Sequence, residues 1–259
     1  MRPNEEFYNL MHKRNTYPIY DPQYITISGG GTEYNMGGGD TLLVFNSSGS
    51  ITVVGNISVR YLVVGRGAAG SGPSANTNGN HGGGAGSVTA GTDILSSGVV
   101  TITVADSGNS TSYFGAHTGY AGNTNGNSGG GYTPASQSTA VYPPGVISGG
   151  GGGAAANAVS DGWGLAGMGV YNDITGSNII YGLGGGGGIY STGSYTGLPT
   201  GSDAWIEQDG TIQNASTVTA NRGYGGHGGA KAASPVKNAS SSAGGSGVVI
   251  LRYTKIVNP

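Results

Sequence analysis

A chain of 259 residues can bury a real core, but this one holds 56 glycines and 10 prolines, and only 8% of its residues are charged. A formal net charge of −2 gives no footprint for nucleic acid or anionic lipid, and the absence of cysteine excludes disulfides and thiolate metal sites. Disordered chains combine high charge with few aromatics, whereas 16 tyrosines, 3 phenylalanines and 2 tryptophans accompany the glycine here, which favours order over a flexible tether.

Residues 1–22 differ from the rest. They carry Arg2, Lys13 and Arg14 beside Glu5 and Glu6, and Phe7, Tyr8, Leu10 and Met11 fit one face of a short helix. Tyr17-Pro18-Ile19-Tyr20-Asp21-Pro22 then forces an extended passage. Two readings stay open: a frayed terminus, or a peptide that anchors the chain in another protein through Phe7, Tyr8, Leu10, Met11, Tyr17 and Tyr20. No apolar signal-peptide core is present, so a protein of this kind working outside the cell is expected to be released by lysis.

Strand text follows from residue 23. Tyr24–Ser28, Leu42–Asn46, Ser50–Val54 and Val59–Val64 are rich in β-branched and aromatic residues, and Ser47-Ser48-Gly49 signals a hairpin. Gly86–Ala90 and Val99–Ala105 continue the pattern. Similar text returns only as Gly247-Val248-Val249-Ile250-Leu251-Arg252-Tyr253. Many short strands without an amphipathic helix predict an all-β domain over 23–259, an antiparallel sandwich or jelly roll. Its sheets come mainly from 24–105 and 247–257. Residues 61–64 and 248–253 are expected in one sandwich despite their separation.

Glycine dominates the insertion, about 106–246, in runs such as Gly149–Gly153, Gly182–Gly188 and Gly223–Gly229. Ordering glycine costs roughly 0.5–1 kcal/mol per residue relative to alanine, so something must offset it. The candidate is a bundle of polyglycine-II-type helices close enough for backbone N–H and C=O groups to bond their neighbours. Glycine is not at every third position, which excludes collagen. Between the runs lie aromatic side chains in Ser/Thr/Asn-rich connectors: Tyr113, Phe114, Tyr132, Tyr142, Tyr171, Tyr190, Tyr195 and Trp205. Such text suits a recognition surface; the competing reading makes the rings lids packed over the bundle.

Motifs for chemistry are weak. Gly65-Arg66-Gly67-Ala68-Ala69-Gly70 matches the dinucleotide fingerprint after a strand, but no helix can open in the Ser/Gly/Pro/Asn text that follows. Gly126-Asn127-Ser128-Gly129-Gly130 resembles a serine-nucleophile string of the sort that glycine-rich text produces by chance. His12, His81, His117 and His227 have no metal spacing, and Asp161, Asp173, Asp203 and Asp209 stand apart. No catalytic residue, metal ligand or cofactor site is expected, and the chain reads as a non-enzyme.

The stretch Thr41-Leu42-Leu43-Val44-Phe45-Asn46-Ser47-Ser48-Gly49-Ser50-Ile51-Thr52-Val53, then Tyr61-Leu62-Val63-Val64-Gly65, then Gly247–Tyr253 resembles the glycine-rich domain of bacteriophage tail-fibre and other virion proteins. The resemblance covers about residues 24–254. Arg66, Ala68 and Ala69 interrupt the glycine run that usually follows the Leu-Val-Val strand. It is also similar to the glycine-rich region of the anaplastic lymphoma kinase ectodomain, where a jelly-roll-like sheet carries packed glycine helices. The resemblance implies a virion structural protein, anchored to other virion proteins through residues 1–22. A homo-oligomer is expected, a trimer in preference. The domain would bind a host-surface glycan or outer-membrane protein through loops at the far end of its glycine bundle; the alternative is a decoration protein of capsid, neck or tail.

Overall fold

The computed structural model describes residues 23–72, 81–108, 110–131, 138–140, 145–147, 151–158, 165–191, 205–206, 212–213, 218–233 and 236–255. Among them there is no helix. The first strands are β1 (Tyr24–Ser28), β2 (Gly31–Gly37), β3 (Asp40–Phe45), β4 (Gly49–Val54), β5 (Ile57–Val64), β6 (Val88–Leu95), β7 (Gly98–Thr103), β8 (Ser112–Phe114) and β9 (His117–Gly119). Short strands follow: β10 (Ser138–Ala140), β11 (Gly145–Ile147), β12 (Val170–Asn172), β13 (Ile179–Tyr181), β14 (Ile189–Ser191), β15 (Trp205–Ile206), β16 (Ile212–Gln213), β17 (Ala230–Ala233) and β18 (Val236–Ala239). The last is β19 (Val248–Thr254).

Two five-stranded antiparallel sheets, β1-β4-β7-β8-β9 and β2-β3-β19-β5-β6, share one apolar core. Ile51, Ile102 and Phe114 face it from the first sheet, and Phe45, Val63 and Leu251 from the second. Strand β7 alternates as a sheet with one wet face should: Val99 and Thr101 are exposed while Ile102 is fully buried.

The second sheet is covered on both faces, and its sequence changes accordingly. Strand β5 alternates up to Arg60 and is continuously buried from Tyr61 to Val64. Strand β19 is buried without a break from Val248 to Leu251. The cause is a second core, where Leu62, Val64, Val248 and Ile250 pack beneath Ile174 and Tyr181 of the β12–β13 hairpin. The two apolar runs pair directly, Val248 opposite Val64 and Leu251 opposite Tyr61. Closing so long a loop is tolerable because its entropy grows only logarithmically with length.

The same register sets Arg252 opposite Arg60. Like charges facing across strands are destabilising, and each arginine here has its own carboxylate. Arg252 donates from Nε (2.8 Å) and Nη2 (2.5 Å) to Asp40 Oδ2, and Arg60 donates to Asp173 Oδ1 at 2.6 Å. Arg252 Nη1 also donates to Ile174 O at 3.2 Å. Asp173 and Ile174 lie in the β12–β13 turn, so both arginines tie that hairpin to the sheet.

The glycine runs lie outside the strands, and their backbone groups bond one another with a repeat of three residues. Gly67 and Gly70 donate to Gly245 and Ser242, while Ala68 and Ser71 donate to Gly84 and His81. Gly225 and Gly228 donate to Leu183 and Gly186, while Gly226 and Gly229 donate to Ala68 and Ser71. Run 81–87 sits among several others: successive amides from Gly83 to Ser87 donate to Gly226, Asn123, Gly152, Gly223 and Tyr120, at 2.7–3.1 Å. A Cβ at Gly67 would overlap the carbonyl of Tyr224, and one at Gly70 that of His227. Glycine therefore stands where backbones touch, and Arg66, Ala68 and Ala69 occupy positions between.

This moves the expected boundary at residue 106. Runs 65–71 and 81–87 already belong to the glycine array, and β8 and β9, beyond residue 106, belong to the first sheet. The interrupted glycine of 65–71 hides its membership, because close approach recurs only at every third residue or so. Runs 65–71, 182–188 and 223–229 lead away from the sandwich, and 81–87 and 241–247 lead back. At the remote end the chain forms the small sheet β10-β11-β14-β15-β16 and the hairpin β17–β18, which packs against β14, β15 and β16.

Candidate binding surfaces

Two of the expected recognition residues are adjacent in β8 and face opposite ways. Tyr113 is 44% exposed, whereas Phe114 is fully buried in the core between the sheets. Phe114 is thus corrected from surface to core, because the alternation of a strand sends consecutive side chains to opposite faces. Phe114→Ala should cost about 3–5 kcal/mol, and Tyr113→Ala less than about 0.5 kcal/mol. Urea denaturation of the two variants checks this; equal losses would contradict the assignment.

Tyr171 is 59% exposed on β12, on the hairpin that covers the second sheet. Tyr190 and Trp205 lie in β14 and β15, which pair in parallel at the remote end of the glycine array. In that pairing Trp205 stands opposite Ile189 and Tyr190 opposite Ile206, on neighbouring strands, whereas Tyr113 and Tyr171 lie on the sandwich side. Tyr132, Tyr142 and Tyr195 lie outside the described residues, as do the anchor residues Phe7, Tyr8, Leu10, Met11, Tyr17 and Tyr20.

The chemical motifs resolve into structural roles. Gly65, Gly67 and Gly70 of the dinucleotide-like string each meet another backbone: a Cβ would overlap the carbonyls of Tyr120, Tyr224 and His227. Ser128 is buried beside the glycine array. No cluster of His, Asp and Glu that could hold a metal occurs among the described residues, and no helix there is long and apolar enough to cross a membrane.

His117 has a partner that its sequence spacing does not reveal. Its Nε2 lies 2.9 Å from Asp93 Oδ2, and its ring stacks on Tyr61 with centroids 3.9 Å apart. Asp93 is on β6 and His117 on β9, the edge strands of opposite sheets, so the pair bridges the open side of the sandwich. Thr89 Oγ1 donates to Thr118 O at 2.7 Å across the same opening. Edges closed in this way resist pairing with other chains. Spanning the two edge strands, the Asp93–His117 pair acts as a clasp between the sheets.

The bond to His117, aided by the Ile94 N–H, holds the Asp93 carboxyl below its ordinary range. A lowered folded pKa contributes stability that is fully present above the ordinary carboxylate value of about 3.9 and is lost as pH falls through the lowered one. Both side chains keep solvent contact, 25% for His117 and 43% for Asp93, which limits the contribution to under about 1 kcal/mol. Asp93→Asn should accordingly reduce the fall in melting temperature between about pH 5 and pH 2. An unchanged fall would dismiss the clasp.

The feature with no signal in the sequence is a cleft of about 270 Å³ between β6 and the β12–β13 hairpin. Arg60, Tyr61, Ala90, Gly91, Thr92, Asn172 and Ile174 line it. Arg60 is 113 positions from its partner Asp173, so no local pattern announces the site. The bond from Arg60 holds the Asp173 carboxyl below its usual range. Asn172 Oδ1 accepts the Ile174 N–H at 2.9 Å, which shapes the turn.

Comparison with protein-family models, curated proteins and solved structures finds no match.

Proposed function

We propose that the chain is a bacteriophage virion structural protein, a tail-fibre or tip component that binds the host surface through aromatic connectors displayed by a glycine bundle. In this reading the sandwich is jelly-roll-like and the runs are polyglycine-II-type helices. The observation that carries it is the three-residue repeat of backbone hydrogen bonds between runs, which matches the three residues per turn of that helix. Seven residues of such a helix span about 22 Å, so the bundle would hold β14 and β15 well away from the sandwich on a stiff support. Preorganised loops lose less entropy on binding than tethered ones. The resemblance of Thr41–Val53, Tyr61–Gly65 and Gly247–Tyr253 to virion glycine-rich domains supports the setting. Residues 1–22 would anchor the chain to other virion proteins, in a homo-oligomer for which a trimer is favoured.

Replacing Tyr190 and Trp205 together by alanine in the assembled virion tests the reading. Adsorption to host cells should fall by roughly tenfold or more, as for loss of interface anchors, with particle yield unchanged. Normal adsorption would favour the alternative, a decoration protein of capsid, neck or tail whose glycine bundle is purely structural.

A further inference from the structure

We propose that the cleft between β6 and the β12–β13 hairpin is a saccharide site that takes one hexose ring through adjacent hydroxyls. It lies on the sandwich side of the molecule and stands on its own geometry, independent of the connectors at the remote end.

Size comes first. About 270 Å³ lies just below the roughly 300 Å³ at which pockets begin to hold drug-sized ligands, which suits a single ring. Ala90 and Gly91 of β6 bring a methyl and bare backbone to the floor of the cleft. Ile174 bounds the hairpin side, its side chain packed into the second core. A methyl and bare backbone give the C–H face of a sugar a surface to rest on.

The polar groups then select the ligand. Arg60 uses Nη2 on Asp173 and keeps further N–H donors. Asn172 commits its carbonyl oxygen to Ile174, which leaves its amide group to donate. Thr92 is exposed and can donate or accept. Asp173, 69% exposed, has a second oxygen to accept. Donors and acceptors thus stand side by side. Charge is balanced as well: Asp173 offsets Arg60, the charged residue that lines the cleft. An anion would meet Asp173 and a cation would meet Arg60. A pair of neighbouring hydroxyls, each both donor and acceptor, satisfies the set without net charge.

The test is an amide NMR titration of the full chain with glucose, galactose, mannose, N-acetylglucosamine and N-acetylgalactosamine, and separately with inorganic phosphate. At least one sugar should shift the amides of Ala90, Gly91, Thr92 and Asn172 saturably, with a Kd of about 1–10 mM. Thr92→Val keeps the shape of an exposed strand residue, and Asn172→Asp keeps the acceptor for Ile174 N–H while removing the donor. Each should weaken binding roughly threefold to tenfold and leave the remaining spectrum in place. The proposal is overturned if no sugar moves these amides, if phosphate alone does, or if both variants bind as the parent does. Adsorption by the Tyr190 and Trp205 variants reads different residues, so either result leaves the other intact.

Discussion

Gly84→Ala is expected to destabilise the protein by about 3 kcal/mol or more, or to prevent folding. Gly84 has no positive φ, so alanine can adopt its backbone conformation and would even gain about 0.4–1 kcal/mol by restricting the unfolded chain. The loss must come from packing alone. A Cβ at Gly84 would overlap the backbone carbonyl of Asn127, and backbone cannot step aside as a side-chain tip can. Moving run 120–129 would break Gly84 N–H to Asn123 O and Ser87 N–H to Tyr120 O together. Gly72→Ala is the control. It follows run 65–71, has no positive φ and meets nothing within 4 Å, so it should be silent or slightly stabilising, within about 1 kcal/mol. Chemical denaturation of both variants checks the pair; similar losses would contradict close backbone packing.

Removal of residues 247–259 is expected to abolish the cooperative fold. Strand β19 lies between β3 and β5 and supplies both cores, Val249 and Leu251 to one and Val248 and Ile250 to the other. Burial of such side chains stabilises by roughly 1.5–3 kcal/mol each. Four of them approach or exceed the roughly 5–15 kcal/mol by which a domain is stable, before the lost ladder bonds to both neighbours. A circular dichroism melt should show no sigmoidal transition. A truncated protein with the parent's melting curve would exclude β19 as the central strand.

The pairing of 61–64 with 248–251 was legible because both runs are apolar at consecutive positions, the mark of strands covered on two faces. The bonding of the glycine runs to one another was also legible, since unsatisfied backbone groups must find partners. Its limits were not. Run 65–71 shows only Gly65, Gly67 and Gly70 among other residues, and the neighbours that demand glycine there come from residues 120, 224 and 227, far along the chain. Phe114 was unreadable because β8 is three residues long, too short for a period of two to show which side chain points inward. The saccharide cleft depends on Arg60 meeting a hairpin more than a hundred positions away. Long-range packing places such residues, and local text carries no trace of it.

Central to the account is that the glycine runs are held by hydrogen bonds between backbones and behave as one rigid body with the sandwich. Residue-resolved hydrogen exchange of the amides from Gly83 to Ser87 tests this most directly, since every one of them donates to another segment. They should exchange as slowly as the amides of β5 and β19, through opening that requires most of the global unfolding free energy. Exchange within seconds at Gly83–Ser87, with β5 and β19 still protected, would contradict it.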